Sequence, residues 1–399
     1  MRRPSVRILF VNEKCGYFGG VEQNIAVTAR GLRLKGHQCF LAHGDSLGSD
    51  LSTYESFFDG ASKCDELCVE KGKQGAHAFE KAVEKFSPDV LYLHKFPHVD
   101  FCLPYLNKLR TVRMIHDHDL CCPRRHKYFF HNSRICQKKA GWRCYLDLAF
   151  LSRDSHLGPI PKFDSISRKL REMRVNYKLD RLLVGSRFMR DELLQNGFPQ
   201  EKVHIVPPNV DMKYSTPSQV PQEPVILFVG QLIKGKGVDL LLQALARVSL
   251  DFKALVIGVG NSEPHLRELC RNLNLEGRVH FKGWIANESL GEFYAKARIV
   301  AVPSRWPEPF GMIGLEAMSH GRPVVAFDVG GIPDWLEHEV TGLLAPEQDI
   351  DALAKALTRL LSDLESCRRM GRTAFANFKN KFSFQDYLAQ ITSHLMGQS

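Results

Sequence analysis

The chain has 399 residues and contains no long hydrophobic run. No stretch approaches the roughly 18 uninterrupted apolar residues that identify a membrane-spanning helix. The N-terminus is basic, but the apolar run behind it, residues 8–11, is too short for the core of a secretory signal peptide. We therefore expect a cytoplasmic protein without a transmembrane segment.

The sequence also lacks the cysteine pattern of a disulfide-stabilised protein. Its 11 cysteines are irregularly spaced along a long chain, whereas disulfide scaffolds are short and rich in cysteine. Hydrophobic residues make up 44% and charged residues 25%, which excludes bulk disorder, collagen and coiled coil. At about 150 residues per domain, the length suggests two or three domains.

Acidic residues are scarce in one part of the chain. The net charge is +10; residues 1–220 carry 35 Lys and Arg against 24 Asp and Glu, and residues 221–399 carry 19 against 20. Most of the excess lies in residues 101–190, with 20 basic and 7 acidic residues. Such a field attracts phosphates, anionic lipid or nucleic acid, but an ordinary solvated face has the same composition. Aromatic-interleaved nucleic-acid-binding motifs are absent, so we do not expect nucleic acid as a partner.

What the chain does contain is an alternation of short apolar strands and amphipathic helices. Residues 6–11 are typical of a buried strand, and a glycine-rich loop, a helix and a second strand at 38–43 complete a βαβ unit. A second series of such units begins at residue 225, after a segment, 207–224, whose five prolines are typical of a linker. The pattern predicts an α/β protein of two doubly wound domains with a ligand in the cleft between them.

The domain boundaries follow from this alternation. We expect an N-terminal domain over residues 1–215 and a C-terminal domain over 222–382. Residues 118–165 have little periodicity and many basic residues, which indicates an insertion in the first domain. Residues 383–399 contain an amphipathic helix.

The most informative segment is residues 304–318. A strand ends just before it, a loop with two prolines presents Glu308, and a helix predicted over residues 311–319 carries Glu316. The free N–H groups of a helix N-terminus favour an anion, and both carboxylates could reach one polar ligand. Either glutamate alone could equally be a surface residue, so the functional interpretation depends on the whole segment.

This segment resembles the Glu-x7-Glu motif of retaining nucleotide-sugar glycosyltransferases of family 4, the glycosyl transferases group 1. The resemblance is continuous over about residues 221–365 and patchy over 1–220, and several ordered motifs together are specific. It implies the GT-B fold, in which two Rossmann-like domains face an interdomain cleft. The further segments that match the family's motifs are 16–20, 116–117, 230–237, 254–260 and 279–284.

The resemblance implies roles for particular residues. Glu308 would orient the donor sugar and His116 would lie beside it, although His116 could also be a structural histidine at a strand end. Lys236 would neutralise the diphosphate, and Glu316 would hold the ribose hydroxyls. The remaining donor-binding candidates are Gly19, Gly20, Gln231, Gly283, Trp284, Phe310, Gly311 and Met312. Gln231 departs from the family's usual arginine, and its side chain donates hydrogen bonds without a charge.

The resemblance also implies the reaction. Transfer would retain the anomeric configuration and would need no cofactor and no catalytic metal ion, with a UDP-sugar as the favoured donor. The C-terminal domain would bind the donor and the N-terminal domain the acceptor, and residues 383–396 would cross back to the N-terminal domain. Two alternatives stay open: a non-catalytic subunit that binds a sugar nucleotide, in keeping with Gln231, and a nucleotide-sugar epimerase, which the two glutamates disfavour.

The basic N-terminal half points to an anionic acceptor. A lipid-linked glycan or an anionic polysaccharide intermediate would fit, with the protein held peripherally by electrostatic attraction at the inner face of the membrane. We therefore expect a role in cell-surface polysaccharide or glycolipid biosynthesis. No feature of the sequence indicates an oligomeric state.

The insertion contains a group of cysteines and histidines that could bind zinc. Cys122, Cys136 and Cys144 are the candidate ligands, since thiolates and imidazoles form tetrahedral zinc sites. The spacing lacks a Cys-x2-Cys pair, however, and reduced structural cysteines are the favoured interpretation.

Overall fold

The computed structural model describes residues 5–16, 19–46, 51–68, 77–96, 98–129, 134–153, 161–163, 165–209 and 217–397. The expected boundary at residue 215, Tyr17 and Phe18 of the glycine loop, and His131 of the insertion lie outside these residues. No helix in the described ranges is long and apolar enough to cross a membrane.

The N-terminal half is a parallel sheet flanked by helices. Seven strands lie in the order β3-β2-β1-β4-β5-β8-β9, and every neighbouring pair is parallel. A short antiparallel pair, β6 and β7, lies outside this sheet. The strands are β1 (Arg7–Cys15), β2 (Gln38–Ser46), β3 (Gly60–Lys63), β4 (Val90–Leu93), β5 (Arg110–Ile115), β6 (Leu151–Arg153), β7 (Pro161–Phe163), β8 (Arg181–Val184) and β9 (Val203–Ile205). The helices are α1 (Gly20–Leu34), α2 (Leu51–Glu55), α3 (Ala78–Phe86), α4 (Arg143–Leu146), α5 (Ile166–Asn176) and α6 (Arg187–Gln195).

The C-terminal half repeats this arrangement. Six parallel strands lie in the order β12-β11-β10-β13-β14-β15. The strands are β10 (Val225–Val229), β11 (Lys253–Ile257), β12 (Val279–Gly283), β13 (Ile299–Val302), β14 (Val324–Phe327) and β15 (Gly342–Ala345). The helices are α7 (Val238–Leu245), α8 (Glu263–Asn272), α9 (Asn287–Lys296), α10 (Met312–Ser319), α11 (Ile350–Ser362), α12 (Leu364–Lys381) and α13 (Phe384–Met396). The predicted α/β class with two doubly wound sheets is confirmed.

The strands form where the sequence has continuous apolar runs, because both faces of each sheet are covered by helices. All five residues of β10 and all four of β13 are buried. In both sheets the chain order reverses beside the first strand, between β1 and β4 and between β10 and β13. Such reversal points leave a crevice at the carboxyl ends of the strands, where ligands bind in doubly wound sheets.

The last helix packs on the N-terminal half. Tyr387, Leu388 and Ile391 belong to the apolar core that β1 and α1 form. The Tyr387 hydroxyl lies 2.7 Å from that of Thr28 on α1, and both groups are buried. Gly31 of α1 leaves room for this helix, since a Cβ there would lie 2.7 Å from the Phe384 ring. The packing links the end of the chain to its beginning.

Candidate active site

Glu308 lies in the loop after β13 and is 4% exposed. Its carboxylate accepts hydrogen bonds from Lys236 Nζ at 2.7 Å and from Ser304 Oγ at 2.5 Å. Burial alone would raise the pKa of Glu308, but the Lys236 ammonium and these hydrogen bonds hold the pKa below its usual value. Glu308 is therefore a buried carboxylate that stays ionised at neutral pH.

Two loops from neighbouring strands bring Lys236 to Glu308. Lys236 ends a short 3-10 turn after β10, and Gly237 follows with φ of 69°. A Cβ at Gly237 would lie 1.8 Å from the Pro303 carbonyl oxygen, so only glycine lets the two loops approach this closely. Arg305, in the loop after β13, forms a bidentate ion pair with Asp239, which lies in the first turn of α7, at 3.1 and 2.7 Å. This pair holds the loop after β13 against the start of that helix.

The segment after Glu308 opens helix α10. Gly311 caps this helix with φ of 96°, and the first turn carries no acidic residue. Trp335 packs beneath the turn: its Nε1 donates to the Phe310 carbonyl at 2.6 Å, and a Cβ at Gly314 would lie 2.4 Å from its ring. The amides at this helix start favour a negative charge, as at other helix N-termini.

Glu316 lies on α10 and has a partner that the sequence did not reveal. The Tyr294 hydroxyl donates to the Glu316 carboxylate at 2.5 Å, and the Tyr294 ring stacks on His320. Burial raises the pKa of Glu316 above its usual value. Tyr294 is 22 residues distant in the chain, with no motif around it, so sequence reasoning had no signal for this contact.

The N-terminal half contacts the Glu308 segment directly. His118 Nε2 donates to the Pro307 carbonyl at 2.7 Å, and Ser186 Oγ donates to the Pro309 carbonyl at 2.5 Å. A Cβ at Gly20 would lie 3.4 Å from the Met312 side chain. The two halves therefore meet at the loop and helix start that carry Glu308, with the neighbouring Gly19 exposed on the same turn.

His116 makes its hydrogen bond to another histidine. Its Nε2 lies 2.9 Å from His94 Nδ1, and the two rings stack at 5.2 Å between centroids. Burial lowers the pKa of His116 to about 4 and that of His94 well below its usual value. Both rings are neutral at pH 7 and share one hydrogen bond, which suits His116 to positioning better than to proton transfer. His118, two residues further along the chain and not selected from the sequence, makes the contact with the C-terminal half.

The acidic residues beside His116 are paired with a lysine. Asp117 and Asp119 have the Asp-x-Asp spacing of many metal sites, but Lys95 Nζ lies 2.7 Å from Asp117 and 3.7 Å from Asp119. Burial opposes the charge of both carboxylates, and the Lys95 ammonium offsets this strongly enough to lower the pKa of Asp117. An ammonium thus occupies the position that a metal ion would need.

Potential metal ligands come together at one place in the part of the chain that the structure describes. Ligand atoms of Cys15, His43 and Glu55 lie within 4.8 Å of one another at the carboxyl ends of β1 and β2. Burial raises the pKa of the Cys15 thiol to about 12, so the thiol is protonated at neutral pH. Cys122, Cys136 and Cys144 are not part of any such group among the described residues. The favoured interpretation of these three as structural cysteines stays a prediction.

The remaining donor-binding candidates lie at the carboxyl edge of the second sheet. Gln231 follows β10 and is exposed, so an added charge there would be solvated. Gly283 ends β12 with φ of 69°, and Trp284 after it is 71% exposed. Their contact with a nucleotide base stays a prediction.

Two family models match adjoining parts of the chain. Residues 18–214 match Glycosyltransferase Family 4, and residues 215–376 match Glycosyl transferases group 1. An uncharacterized glycosyltransferase of Methanocaldococcus jannaschii is 30% identical over 217 residues, which is 50% of this chain and 55% of that protein. The D-inositol 3-phosphate glycosyltransferase of Nocardia farcinica is 31% identical over 235 residues, which is 54% of this chain and 52% of that protein. The matches span about half the length of these curated relatives.

A solved structure matches the chain almost completely. HepE of Anabaena, solved with UDP and glucose, superposes with a TM-score of 0.73 at 20% identity, covering 98% of this chain and 100% of that one. Identity this low shows the fold alone, which is GT-B. The resemblance drawn from the motifs is confirmed: the chain is family 4-like in sequence and GT-B in fold.

Proposed function

We propose that the protein is a retaining glycosyltransferase that moves a sugar from a nucleotide-diphosphate donor to a glycan or lipid-linked acceptor. The observation that carries this proposal is the buried pair of Lys236 and Glu308, 2.7 Å apart beside the N-terminus of α10. A cation and a helix N-terminus suit a diphosphate, and a carboxylate beside them suits sugar hydroxyls. The family models support the same activity.

The donor is a UDP-sugar in this proposal. Its support comes from relatives, because the HepE structures contain UDP, glucose or UDP-glucose. When the donor binds, Lys236 transfers its contact from Glu308 to the diphosphate. Glu308, released from that pair, then accepts hydrogen bonds from the sugar.

The transfer step needs no separate enzymatic base. An acceptor hydroxyl oxygen bonds to the anomeric carbon on the face that the phosphate leaves, so the configuration is retained. The bond from that carbon to the phosphate oxygen breaks with its electron pair, and the departing phosphate takes the hydroxyl proton. Lys236 and the amides of α10 stabilise the negative charge that develops on the phosphate, as preorganised groups do in other sites.

Thermal shift with UDP, GDP, ADP and dTDP, followed by a donor hydrolysis assay, tests the function. A ligand that binds only the folded state raises the unfolding midpoint, and UDP should raise it most. Slow release of UDP and sugar from UDP-glucose, with an α-anomer as the first product in proton NMR, would support a retaining transferase. Binding without turnover would favour the non-catalytic alternative, and interconversion of the UDP-sugar would favour the epimerase.

Activity should survive metal chelation. Protein groups neutralise the leaving phosphate in this proposal, and Lys95 is paired with the Asp-x-Asp carboxylates. Turnover in excess EDTA should stay within about twofold of that in added Mg²⁺, since no charge-stabilising group is lost. Restoration by Mn²⁺ or Mg²⁺ alone would contradict this prediction. Restoration by Zn²⁺ alone would point to a structural cysteine site.

A surface in the insertion supports the proposed peripheral attachment to a membrane. Around α4, Trp142, Leu146 and Leu148 are 66%, 72% and 55% exposed. Two exposed cations are close to them in the sequence: Arg143 follows Trp142 directly, and Lys139 lies three residues before it. Exposed apolar groups rimmed by cations are typical of sites that bind a membrane surface. The sequence alone suggested a purely electrostatic attachment. The exposed apolar side chains add a hydrophobic contribution to the proposed membrane binding.

We expect the protein to bind vesicles of phosphatidylcholine with 30% phosphatidylglycerol more tightly than neutral vesicles. Each cation near an anionic surface contributes about 1 kcal/mol, so the double variant Lys139→Glu/Arg143→Glu should bind at least about tenfold more weakly. Added salt should release the wild type. The matched control is Lys355→Glu/Arg372→Glu, which reverses two exposed charges of the C-terminal half. Equal binding by both double variants would refute a specific docking face.

A further inference from the structure

A cavity of about 330 Å³ lies in the N-terminal half, between the carboxyl ends of β1, β4 and β5 and helix α5. Six basic side chains and three acidic ones line it. The basic residues are Lys14, Lys95, Arg113, Arg125, Arg168 and Lys169, and the acidic ones are Glu13, Asp119 and Glu172. We call this cavity the arginine pocket. Its volume lies in the range of small-molecule sites.

Arg113 is a buried cation of this pocket that forms no ion pair within the described residues. It is 9% exposed, and its guanidinium donates to Asn176 Oδ1 at 2.6 Å. Its Nε has no hydrogen-bond partner, and the described residues form no ion pair with it. Burial lowers the pKa of Arg113 from its usual value, but an arginine stays charged at neutral pH. The carboxylates of Asp117, Glu172 and Asp119 act on this charge from beyond ion-pair distance. A ligand that places an anion in direct contact with the guanidinium would therefore be bound strongly.

The position of Arg113 in the chain strengthens this inference. It lies in the middle of β5, a strand whose other members are mostly buried and apolar. A charged residue in a buried parallel strand violates the local pattern, and such exceptions cluster at functional sites. The guanidinium carbon lies 4.1 Å from the centroid of the Phe96 ring, and this cation–π contact restricts the position of the guanidinium. It thus presents a fixed fork of donors of the kind that matches phosphate and carboxylate oxygens.

The other cations of the pocket are mostly paired. Lys95 pairs with Asp117 and Asp119, and both Arg168 and Lys169 pair with Glu172. The N-terminus of α5, capped by Ser165, adds favourable amide dipoles and has no acidic residue in its first turn. The net electrostatic field at the pocket therefore favours an anion. Arg113 offers that anion a donor, its Nε, which has no hydrogen-bond partner in the described residues. Phe96 and Leu120 supply apolar surface on which a sugar or polyol ring can lie.

The pocket is joined to the proposed donor site by one short loop. His118 bonds to the Pro307 carbonyl beside Glu308, and the next two residues, Asp119 and Leu120, line the pocket. Lys14 at the end of β1 also lines it, just before the glycine loop that approaches Met312. A ligand in the pocket would therefore lie next to the donor sugar.

We propose that the arginine pocket is the acceptor site and that Arg113 binds a phosphate or carboxylate group carried by the acceptor's sugar or polyol. This inference rests on the proposed transferase function, which it deepens by naming the chemistry of the acceptor. The acceptor hydroxyl would face the donor while the anionic group is held at Arg113.

The test measures binding of four probes to the full chain saturated with UDP: glucose, glucose 6-phosphate, glucuronate and inorganic phosphate. We expect glucose 6-phosphate or glucuronate to bind at least about tenfold more tightly than glucose, because charge-assisted hydrogen bonds exceed neutral ones. The two anionic probes distinguish phosphate from carboxylate. Vesicles containing phosphatidylinositol form a further arm, which distinguishes a lipid headgroup from a soluble sugar phosphate.

Arg113→Gln should weaken binding of the preferred anion at least about tenfold and leave UDP affinity unchanged within about twofold. Gln keeps a donor for Asn176 but loses the charge and the contact with the Phe96 ring, so the unfolding midpoint without ligand should change little. Should this variant fail to fold, Arg125→Gln changes an exposed residue of the same pocket and should weaken binding in the same direction. The matched control is Arg171→Gln, which removes an exposed charge of α5 outside the pocket.

The outcomes separate the two levels of the proposal. Equal binding of glucose and its anionic analogues, or anion binding unchanged in Arg113→Gln and Arg125→Gln, would overturn the acceptor assignment while UDP binding stays intact. Binding of inorganic phosphate that Arg113→Gln leaves unchanged would also overturn it. A wild-type protein that does not bind UDP would instead refute the transferase function itself.

Discussion

Glu308→Gln should lower sugar transfer by about 100- to 1,000-fold, the loss observed when one preorganised electrostatic group is removed from an active site. The amide has the shape of the carboxylate but no charge, so it cannot stabilise positive charge that develops at the anomeric carbon. UDP affinity should not fall, because Gln no longer competes with the diphosphate for Lys236, which lies 2.7 Å from the carboxylate. A turnover loss without a loss of ground-state binding indicates a transition-state contact.

The measurement is transfer or hydrolysis of UDP-glucose together with UDP binding. Glu268→Gln is the matched control, since Glu268 is an exposed residue of α8. Turnover of Glu308→Gln within about tenfold of the wild type would remove Glu308 from the catalytic site. A parallel loss of UDP affinity would place Glu308 at the nucleotide instead of the sugar.

Lys236→Ala should weaken UDP binding by about 10- to 100-fold and uridine binding hardly at all. A charge-assisted contact is worth about 1.5–3 kcal/mol, and each tenfold change in affinity is about 1.4 kcal/mol. Lys253→Ala, at the opposite end of the neighbouring strand β11, is the matched control. Equal effects of Lys236→Ala on UDP and uridine would show that Lys236 does not touch the phosphates.

The same variant should also be less stable, because it leaves Glu308 buried without its cation. Removing one partner of a buried ion pair costs about 3–5 kcal/mol, and partial exposure of Lys236 places the expected cost at the low end. In the wild type the pKa of Glu308 is lowered, so its stabilising pair persists until the pH falls below the usual carboxyl range. In the variant, burial should raise that pKa, so the unfolding midpoint should increase as the pH falls from 7 to 5.

The double variant Lys236→Ala/Glu308→Gln separates stability from binding. It removes the buried charge as well as its partner, so thermal unfolding should recover much of the midpoint lost in Lys236→Ala. UDP affinity should stay low, because the phosphate contact is still missing. Recovery of both properties would contradict a direct contact between Lys236 and the diphosphate.

Sequence patterns located the strands of both sheets well, whereas the roles that they suggested for Glu308, Glu316 and Lys236 stay predictions. The apolar runs of β10 and β13 are continuous in the sequence and fully buried in the structure, so local composition is enough to predict these strands. The ends were less well determined: β1 continues to Cys15, beyond the predicted residue 11, and α10 starts at Met312 after the glycine cap. Neighbouring strands and the cap geometry decide these boundaries, and neither is encoded in hydrophobic periodicity.

The residues that the N-terminal half contributes to the candidate site were harder to predict. His116 was selected by its family position, but the contact to the C-terminal half is made by His118, and His116 pairs with His94. His116 and His118 are two residues apart in the sequence and chemically identical, so the orientation of their rings separates their roles. That orientation depends on how the loop after β5 packs against both halves.

By itself, the sequence determined the two α/β halves and placed Glu308, Glu316 and Lys236 in motifs that indicate a sugar-nucleotide site. Local hydrophobic patterning and glycine positions act over a few residues, which is why they are readable from the chain. Only the tertiary structure paired Lys236 with Glu308 across 72 residues, joined His118 to Pro307 across 189, and left the Arg113 Nε without a hydrogen-bond partner beside a cavity. These contacts depend on which strand ends are neighbours in the folded sheets, and sheet order is a property of the whole fold.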